Sequence, residues 1–140
     1  MQEKQTFPAD VSQLPNVQSF FEIALARVTC PMKIQMAVSV AIEEVFVNIA
    51  RYAYPAGGGT VTAAFSFDDS VKTATFQLRD RGIPFDPLQQ ADPDIALPAE
   101  ERQIGGLGIF ITKKTMDEVN YHFENGENVL TMKKRISKGE

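Results

Sequence analysis

Three groups of residues have the types and the spacing to carry out chemistry together. The first contains Glu44 and Asn48, four residues apart, with Arg51 close behind. At about 100° per residue, these three side chains fall within an arc of about 60° on one helix face, whereas Glu43 points away and is predicted to be solvated. A carboxylate and an amide one turn apart can act on a hydroxyl group and on a hard divalent cation. The alternative is an ordinary polar helix flank.

The second group is a short segment that directly follows a predicted strand, Asp80-Arg81-Gly82-Ile83-Pro84-Phe85-Asp86. The period of two along that strand places Asp80 on its buried side, where a carboxylate is costly unless a donor reaches it. The exocyclic amine of a purine is one such donor, and a nearby glycine lets a flat ring approach the backbone. A turn that merely ends the strand is the alternative.

The third group is Gly105-Gly106-Leu107-Gly108, at the predicted start of a helix. Free amide groups and the helix dipole favour phosphate there. The spacing matches neither the dinucleotide-binding fingerprint nor the P-loop, and a flexible hinge explains a glycine cluster equally well.

The elements that position these groups follow from the hydrophobic pattern. Apolar residues at helical spacing predict two helices, a third helix is predicted to follow the glycine cluster, and a period of two predicts four strands. The predicted helices are 15–29, 31–54 and one that runs from the glycine cluster to Lys114, and the strands are 61–67, 74–79, 119–123 and 129–135. Residues 6–8 are predicted to form an extended edge segment. Grouped strands with helices on one face predict an α+β fold, a two-layer sandwich. Residues 88–104 have no sustained period, which is typical of a functional loop.

Composition narrows the classes of function. The chain has 140 residues, enough for one domain spanning 1–140, and its hydrophobic content of 44% is that of a globular protein. A net charge of −4 argues against a nucleic-acid partner. One cysteine and one histidine argue against a disulfide framework, a thiolate or polyhistidine metal site and a Ser-His-Asp triad. Without an apolar run or a signal sequence, no membrane association and a cytoplasmic location are expected.

The order of the three motifs resembles that of the anti-sigma-factor serine kinases. These belong to the superfamily of DNA gyrase, histidine-kinase catalytic domains and mismatch-repair ATPases, which share the Bergerat ATP-binding fold with a mixed, mostly antiparallel sheet. The segment 44–48 is similar to the N box, 80–86 to the first glycine box and 105–108 to the second. The likeness extends over about residues 10–136.

The resemblance implies a role for each matching residue. Glu44 would be the general base and Asn48 the ligand of Mg²⁺, with Arg51 near the phosphates of ATP. Asp80 would contact the adenine amine, Gly82 would give the ring space, and Pro84 and Phe85 would complete that box. Gly105, Gly106, Leu107 and Gly108 would hold the phosphates beneath a lid formed by 88–104, and Arg102, Lys113 or Lys114 would assist them.

The resemblance also implies partners and a reaction. The expected function is ATP-dependent phosphorylation of a serine on a STAS-type anti-anti-sigma protein, with binding of a sigma factor and a homodimeric state. The alternative is a nucleotide-dependent binding module without efficient transfer. Two positions depart from the family pattern: Tyr52 stands where histidine is frequent, and Asn128 stands where threonine is frequent. His122 and Cys30 are expected to have no special role.

Overall fold

The computed structural model describes residues 2–89 and 107–136. The helices are α1 (Leu14–Ala26), α2 (Met32–Tyr52) and α3 (Leu107–Thr115). The strands are β1 (Gln2–Pro8), β2 (Thr60–Asp68), β3 (Thr73–Asp80), β4 (Glu118–Glu124) and β5 (Glu127–Arg135). Short 3-10 turns lie at Val11–Gln13 and Pro87–Gln89. The predicted elements are therefore all present, and their ends differ by a few residues.

The strands form one sheet in the order β1-β2-β3-β5-β4. Each of its four strand pairings is antiparallel, so the described sheet has no parallel pair of the kind that a mixed sheet would contain. Helices α1 and α2 pack on one face, and α3 packs against α2. The α+β fold with two layers is thereby confirmed. Because β5 lies between β3 and β4, the end of β3 and the start of β5 are neighbours.

Strand β1 is longer than the sequence indicates. The extended edge segment expected at residues 6–8 is a seven-residue strand that pairs with β2 from Gln2 to Pro8. Phe7 is its one buried residue. A strand with a single core position carries no alternating pattern, and only backbone pairing to β2 defines it.

The core lies between the sheet and the two helices that cover it. The Phe76 ring at the centre of β3 packs against Phe65 of β2 and Phe21 of α1, with centroid distances of 5.6 and 5.7 Å and edge-to-face geometry. Such aromatic pairs stabilise the fold beyond the area they bury. Alternate residues of β3 are buried, including the last one, Asp80. The core face of this strand therefore ends at a carboxylate.

The ends of the elements have local causes. Pro15 lies in the first turn of α1, where its missing N–H costs nothing. Helix α1 ends at Ala26, before the predicted Thr29, which has a positive φ of 57°. Asn125 and Gly126 have φ values of 53° and 79° and form the two-residue turn between β4 and β5.

In the described part of the chain, none of the helices has both the length and the apolar character needed to cross a bilayer.

Candidate nucleotide-binding site

Helix α2 presents Glu44 and Asn48 on the same side, as the helical period predicts. Asn48 is only 7% exposed and Glu44 is half-buried, whereas Glu43 is exposed. The side-chain amide of Asn48 donates a hydrogen bond from Nδ2 to Glu44 Oε1 at 3.3 Å. This bond orients the carboxylate and leaves the amide oxygen of Asn48 free of any hydrogen bond found in the described residues.

The carboxylate of Glu44 lies directly against the first turn of α3. A methyl group built on Gly108 would overlap the carboxylate and Cγ of Glu44, so the absence of a side chain at 108 creates the space that Glu44 occupies. The positive end of a helix dipole stabilises an anion placed there. Gly105 and Gly106 lie outside the described residues, as does nearly all of the predicted lid, and Leu107 begins α3.

The environment of Glu44 raises its pKa above the ordinary value, chiefly because burial disfavours the charged form. The hydrogen bond from Asn48 opposes this shift, the negative charge of Glu43 adds to it, and the positive charge of Arg51 also opposes it. Arg51 itself is exposed. A partly desolvated carboxylate with a raised pKa is a better proton acceptor than an ordinary surface glutamate.

Asp80 ends β3 on the other side of the site and is only 4% exposed. Its Oδ1 accepts hydrogen bonds from the Gly82 amide and from Asn128 Nδ2, each at 2.9 Å. Burial raises the pKa of Asp80, the bonds from Asn128 and Gly82 oppose that effect, and the charge of Glu127 adds to it. The sequence therefore predicted a buried carboxylate correctly, but it did not identify the protein groups that donate to it.

Asn128 is the functional candidate that the sequence analysis missed. It lies on β5 directly opposite Asp80 of β3, is 5% exposed and contacts the segment 82–85 through its side chain. Nothing local in the sequence around 128 marks it, because its importance comes from the pairing of two strands that are distant along the chain. The departure from the family pattern at this position was the one available signal.

The side of Gly82 on which another residue would carry its side chain faces the end of α2. A methyl group built on Gly82 would overlap the carbonyl and Cβ of Ala53, the residue that caps α2. The next amide, that of Ile83, donates to the Ala53 carbonyl at 2.8 Å. Gly82 thus allows the first glycine box to pack against the end of α2, and its predicted contact with a base remains a prediction.

A cavity lies between Asn48 of α2 and Asp80 at the end of β3. Its walls combine an apolar surface with the polar groups of Asn48, Asp80, Tyr121 and Asn128, and its lining includes Val45, Ile49, Ala53, Leu78, Phe85, Pro87 and Leu130. The enclosed space is about 20 Å³, enough for one water molecule. This space is smaller than a purine ring, so a bound purine would need the cavity to widen. Phe85 is half-buried, and its ring contacts the exposed Tyr52 ring at a centroid distance of 5.9 Å.

Other predicted residues lie further from this cavity or are exposed. Pro84 is exposed, and Lys113 and Lys114 lie in the last turn of α3, about 8–9 Å along the helix axis from Gly108. Arg102 lies outside the described residues. Exposed His122 pairs with Glu124 at 3.0 Å.

No cluster of three or more histidine, cysteine or acidic side chains within residues 2–89 and 107–136 could hold a metal ion. The residues present fit Mg²⁺ in another way, since Mg²⁺ is commonly bound through one or two protein oxygens together with substrate phosphates. The amide oxygen of Asn48, which has no hydrogen bond within residues 2–89 and 107–136, lies one helical turn from Glu44 and is a ligand of that kind.

A two-layer fold with a carboxylate–amide pair on α2, a carboxylate ending β3 and a glycine at the start of α3 is the arrangement that the sequence resemblance predicted. The chain matches the histidine kinase-like ATPase domain over residues 7–134 and belongs to that family.

The curated relatives narrow this class. The chain is similar to a protein of Listeria monocytogenes named serine-protein kinase RsbW, with 28% identity over 100 residues, covering 67% of this chain and 62% of the relative. A protein of the same name from Bacillus cereus is 29% identical over 99 residues, covering 67% of this chain and 60% of the relative. The chain thus spans about three fifths of the length of these relatives. The resemblance to the anti-sigma-factor serine kinases is confirmed.

Solved structures show the same fold. A crystal structure of the RsbU and RsbW domains of a Mycobacterium tuberculosis protein superposes with a TM-score of 0.68 at 16% identity, covering 99% of this chain and 33% of that one. A blue-light activated histidine kinase of Erythrobacter litoralis superposes with a TM-score of 0.59 at 16% identity, covering 79% of this chain and 33% of that one.

Proposed function

We propose that this chain is a serine/threonine protein kinase that transfers the γ-phosphoryl group of Mg-ATP to a serine of an anti-anti-sigma protein, and that it also acts as an anti-sigma factor. The observation that carries the proposal is the contact of the Glu44 carboxylate with Gly108. This contact supports the proposal because a carboxylate that can accept a proton then lies beside a helix end that favours phosphate. The names of the curated relatives support the choice of serine as the acceptor.

Glu44 would act on the attacking group. Its carboxylate would take the proton from the serine hydroxyl as that oxygen forms a bond to the γ-phosphorus, and the bond from that phosphorus to the bridging oxygen of ADP would break. Little covalent work falls to the protein in such a transfer, because positioning and charge stabilisation lower most of the barrier. The raised pKa of Glu44 suits proton acceptance, and the bond from Asn48 keeps its carboxylate oriented.

Asn48 would supply a ligand to Mg²⁺ through its amide oxygen, and the first turn of α3 would receive the phosphates. The Mg²⁺ ion would neutralise charge on the phosphate oxygens. Asp80 would accept a hydrogen bond from the adenine amine at the inner end of the cavity. Arg51 is close enough to Glu44 to lower its pKa, and its exposed side chain could reach a phosphate entering beside it.

The partners are proposed from the resemblance to the anti-sigma-factor serine kinases. The protein substrate would be a STAS-type anti-anti-sigma domain, the bound target a sigma factor, and the kinase a homodimer in the cytoplasm, with residues 1–140 acting as one ATP-binding domain. No membrane or nucleic-acid partner is proposed. A nucleotide-dependent binding module without transfer is the competing function, because an intact base does not guarantee turnover.

The test is incubation of the protein with γ-³²P-labelled ATP, Mg²⁺ and an anti-anti-sigma domain encoded by a neighbouring gene. Label on a serine of that domain, lost when the serine is changed to alanine, is the expected result. ATP-dependent binding of the domain without label would favour the binding module. Absence of ATP binding would contradict both functions.

A further inference from the structure

The side chain of Asn128 on β5 connects the end of β3 with the segment 82–85 at one end of the cavity. Its Nδ2 donates to Asp80 Oδ1 and to the Ile83 carbonyl, both at 2.9 Å, with the Gly82 carbonyl further away at 3.4 Å. Its Oδ1 accepts a hydrogen bond from the Phe85 amide at 3.1 Å. Because a backbone amide can only donate, this last bond fixes which end of the Asn128 amide is oxygen.

Tyr121 completes these bonds from the neighbouring strand. Its hydroxyl on β4 donates to Asn128 Oδ1, and its side chain forms part of the cavity wall. Burial is the largest influence on the hydroxyl and raises its pKa, so it is protonated and able to donate at neutral pH. With this bond, both hydrogens and both lone pairs of the Asn128 amide are in use. Asn128 therefore has no donor left for a ligand.

The same hydrogen bonds determine which oxygen of Asp80 can accept a hydrogen bond from a ligand. Both of its donors, the Gly82 amide and Asn128 Nδ2, reach Oδ1. Within residues 2–89 and 107–136, no hydrogen bond is found to Oδ2. Asp80 lines the cavity, so Oδ2 is the acceptor it has available for a group that enters.

We infer that Asn128, held by Tyr121, is the positioning residue that sets base selectivity. It fixes Asp80 so that one carboxylate oxygen is open to a hydrogen-bond donor on the ligand, and Asn128 itself presents no free donor. The inference rests on the proposed function, and it adds the residues that hold Asp80 in the orientation which that function requires. At the Asp80 end of the cavity, an open carboxylate oxygen with no free donor on Asn128 beside it selects a purine that has an amine at position 6 over one with a carbonyl there. A 6-oxopurine would bring its oxygen against the carboxylate, and Asn128 could not turn its NH₂ toward it without losing its own bonds.

The experiment compares ATP with inosine triphosphate, which carries a carbonyl in place of the 6-amine. Affinities of both nucleotides are measured by calorimetry for the wild type, Tyr121→Phe and Asn128→Leu, and each variant is also melted. Tyr121→Phe removes one hydroxyl and keeps the ring, so the preference for ATP should fall by about threefold to tenfold, the equivalent of one hydrogen bond. Asn128→Leu keeps the size of the side chain and removes every bond, so the preference should fall further.

The control is Thr131→Val, on the same strand but the opposite face of the sheet. Thr131 Oγ1 accepts a hydrogen bond from Gln77 Nε2 at 3.0 Å, so this variant also loses one side-chain bond. It should lower the melting temperature but leave the ratio of the two affinities at the wild-type value. The ratio of the two affinities responds only to a change in the contacts with the base, whereas the melting temperature responds to any loss of stability.

The outcomes separate the inference from the function on which it rests. A wild type that binds ATP in preference to inosine triphosphate, with that preference unchanged in Tyr121→Phe, would show that the Tyr121–Asn128 pair is only structural, and the proposed function would stand. A wild type that binds neither nucleotide would overturn the proposed function, and the inference with it. If Asn128→Leu does not fold, Tyr121→Phe decides the matter.

Discussion

The carboxylate of Glu44 on α2 occupies the space that a side chain at position 108 would fill, so Glu44 and Gly108 are close neighbours although they lie on different helices. This relationship connects the candidate base to the helix end that favours phosphate. It also means that the two positions cannot be altered independently, and a double-mutant cycle can measure how strongly they are coupled.

We expect the effect of Gly108→Ala on the free energy of unfolding to change sign when residue 44 is changed. In the wild type the added methyl group overlaps Glu44 and should cost about 1–3 kcal/mol, as overpacking does. In Glu44→Asp, whose side chain is one methylene shorter, the same change should be neutral or stabilise by up to about 1 kcal/mol, because alanine favours a helix more than glycine does. Urea unfolding of the four variants measures this. Equal effects in both backgrounds would contradict the contact.

The adjacent residues Glu43 and Glu44 allow a matched test of the general base. Glu44→Gln keeps the shape of the side chain but removes proton acceptance, so phosphoryl transfer should fall by roughly 10²–10⁴-fold with little change in ATP affinity. Glu43→Gln, on the exposed side of the same helix, should leave transfer and binding near the wild-type values. Radiolabel transfer and calorimetry give the two quantities. Normal transfer by Glu44→Gln would rule out this base.

The raised pKa of Glu44 predicts the pH dependence of transfer. A general base acts only when it is ionised, so the acidic limb of the rate profile should lie above the pH at which an ordinary glutamate titrates. Residual transfer by Glu44→Gln should lack that limb. Single-turnover rates between pH 4.5 and 8 measure the profile, and a limb at the ordinary glutamate value would contradict desolvation of this carboxylate.

Asp80→Asn should weaken ATP binding and raise the melting temperature of the protein at pH 7.5. Loss of the carboxylate should weaken ATP binding on the order of 1.5–3 kcal/mol and affect inosine triphosphate less. Because the folded-state pKa of Asp80 is raised, its ionised form costs stability above that pKa, and the cost vanishes below the ordinary value of 3.8. The variant should therefore melt at a higher temperature than the wild type at pH 7.5, and this gain should shrink as the pH falls toward 4.

Asp68→Asn is the control for that experiment, because the pKa of Asp68 is shifted in the opposite direction. Asp68 is exposed, and the side-chain and backbone hydrogen bonds from Ser70 lower its pKa. Its charged form therefore adds stability above the ordinary value, which is lost as the pH falls through the folded-state pKa. This variant should not gain stability at pH 7.5. A gain in Asp68→Asn equal to that in Asp80→Asn would mean that net charge, not burial, is responsible.

Removal of Mg²⁺ should weaken ATP binding in the wild type and have less effect on Asn48→Ala. Asn48 is the proposed ligand of the ion, because its amide oxygen has no hydrogen bond within the described residues, so a variant without it should have less Mg²⁺-dependent affinity to lose. Competition of a fluorescent ATP analogue with and without a chelator gives the comparison. Equal sensitivity of both proteins to the chelator would place the ion elsewhere.

Much of this site was predictable from the sequence because its signals are local. The phase of Glu43, Glu44 and Asn48 follows from the 3.6-residue period of one helix, and the burial of Asp80 follows from the alternation along one strand. Each of these predictions needs only the geometry of a single element. The fold class was also predictable, since it depends on the order of the elements and on which of their faces are apolar.

Tertiary structure alone decided which of these groups meet. Strand β5 lies between β3 and β4, and this order brings Asn128 to Asp80, 48 residues away along the chain. The overlap of position 82 with Ala53 and of position 108 with Glu44 likewise arises from packing between separate elements. A periodic pattern specifies which face of an element is buried, but it contains no information about which element covers that face or in what register. The sequence therefore determined the chemical groups and their faces, and the packing of the sheet and helices determined which of those groups meet and which hydrogen bonds they form.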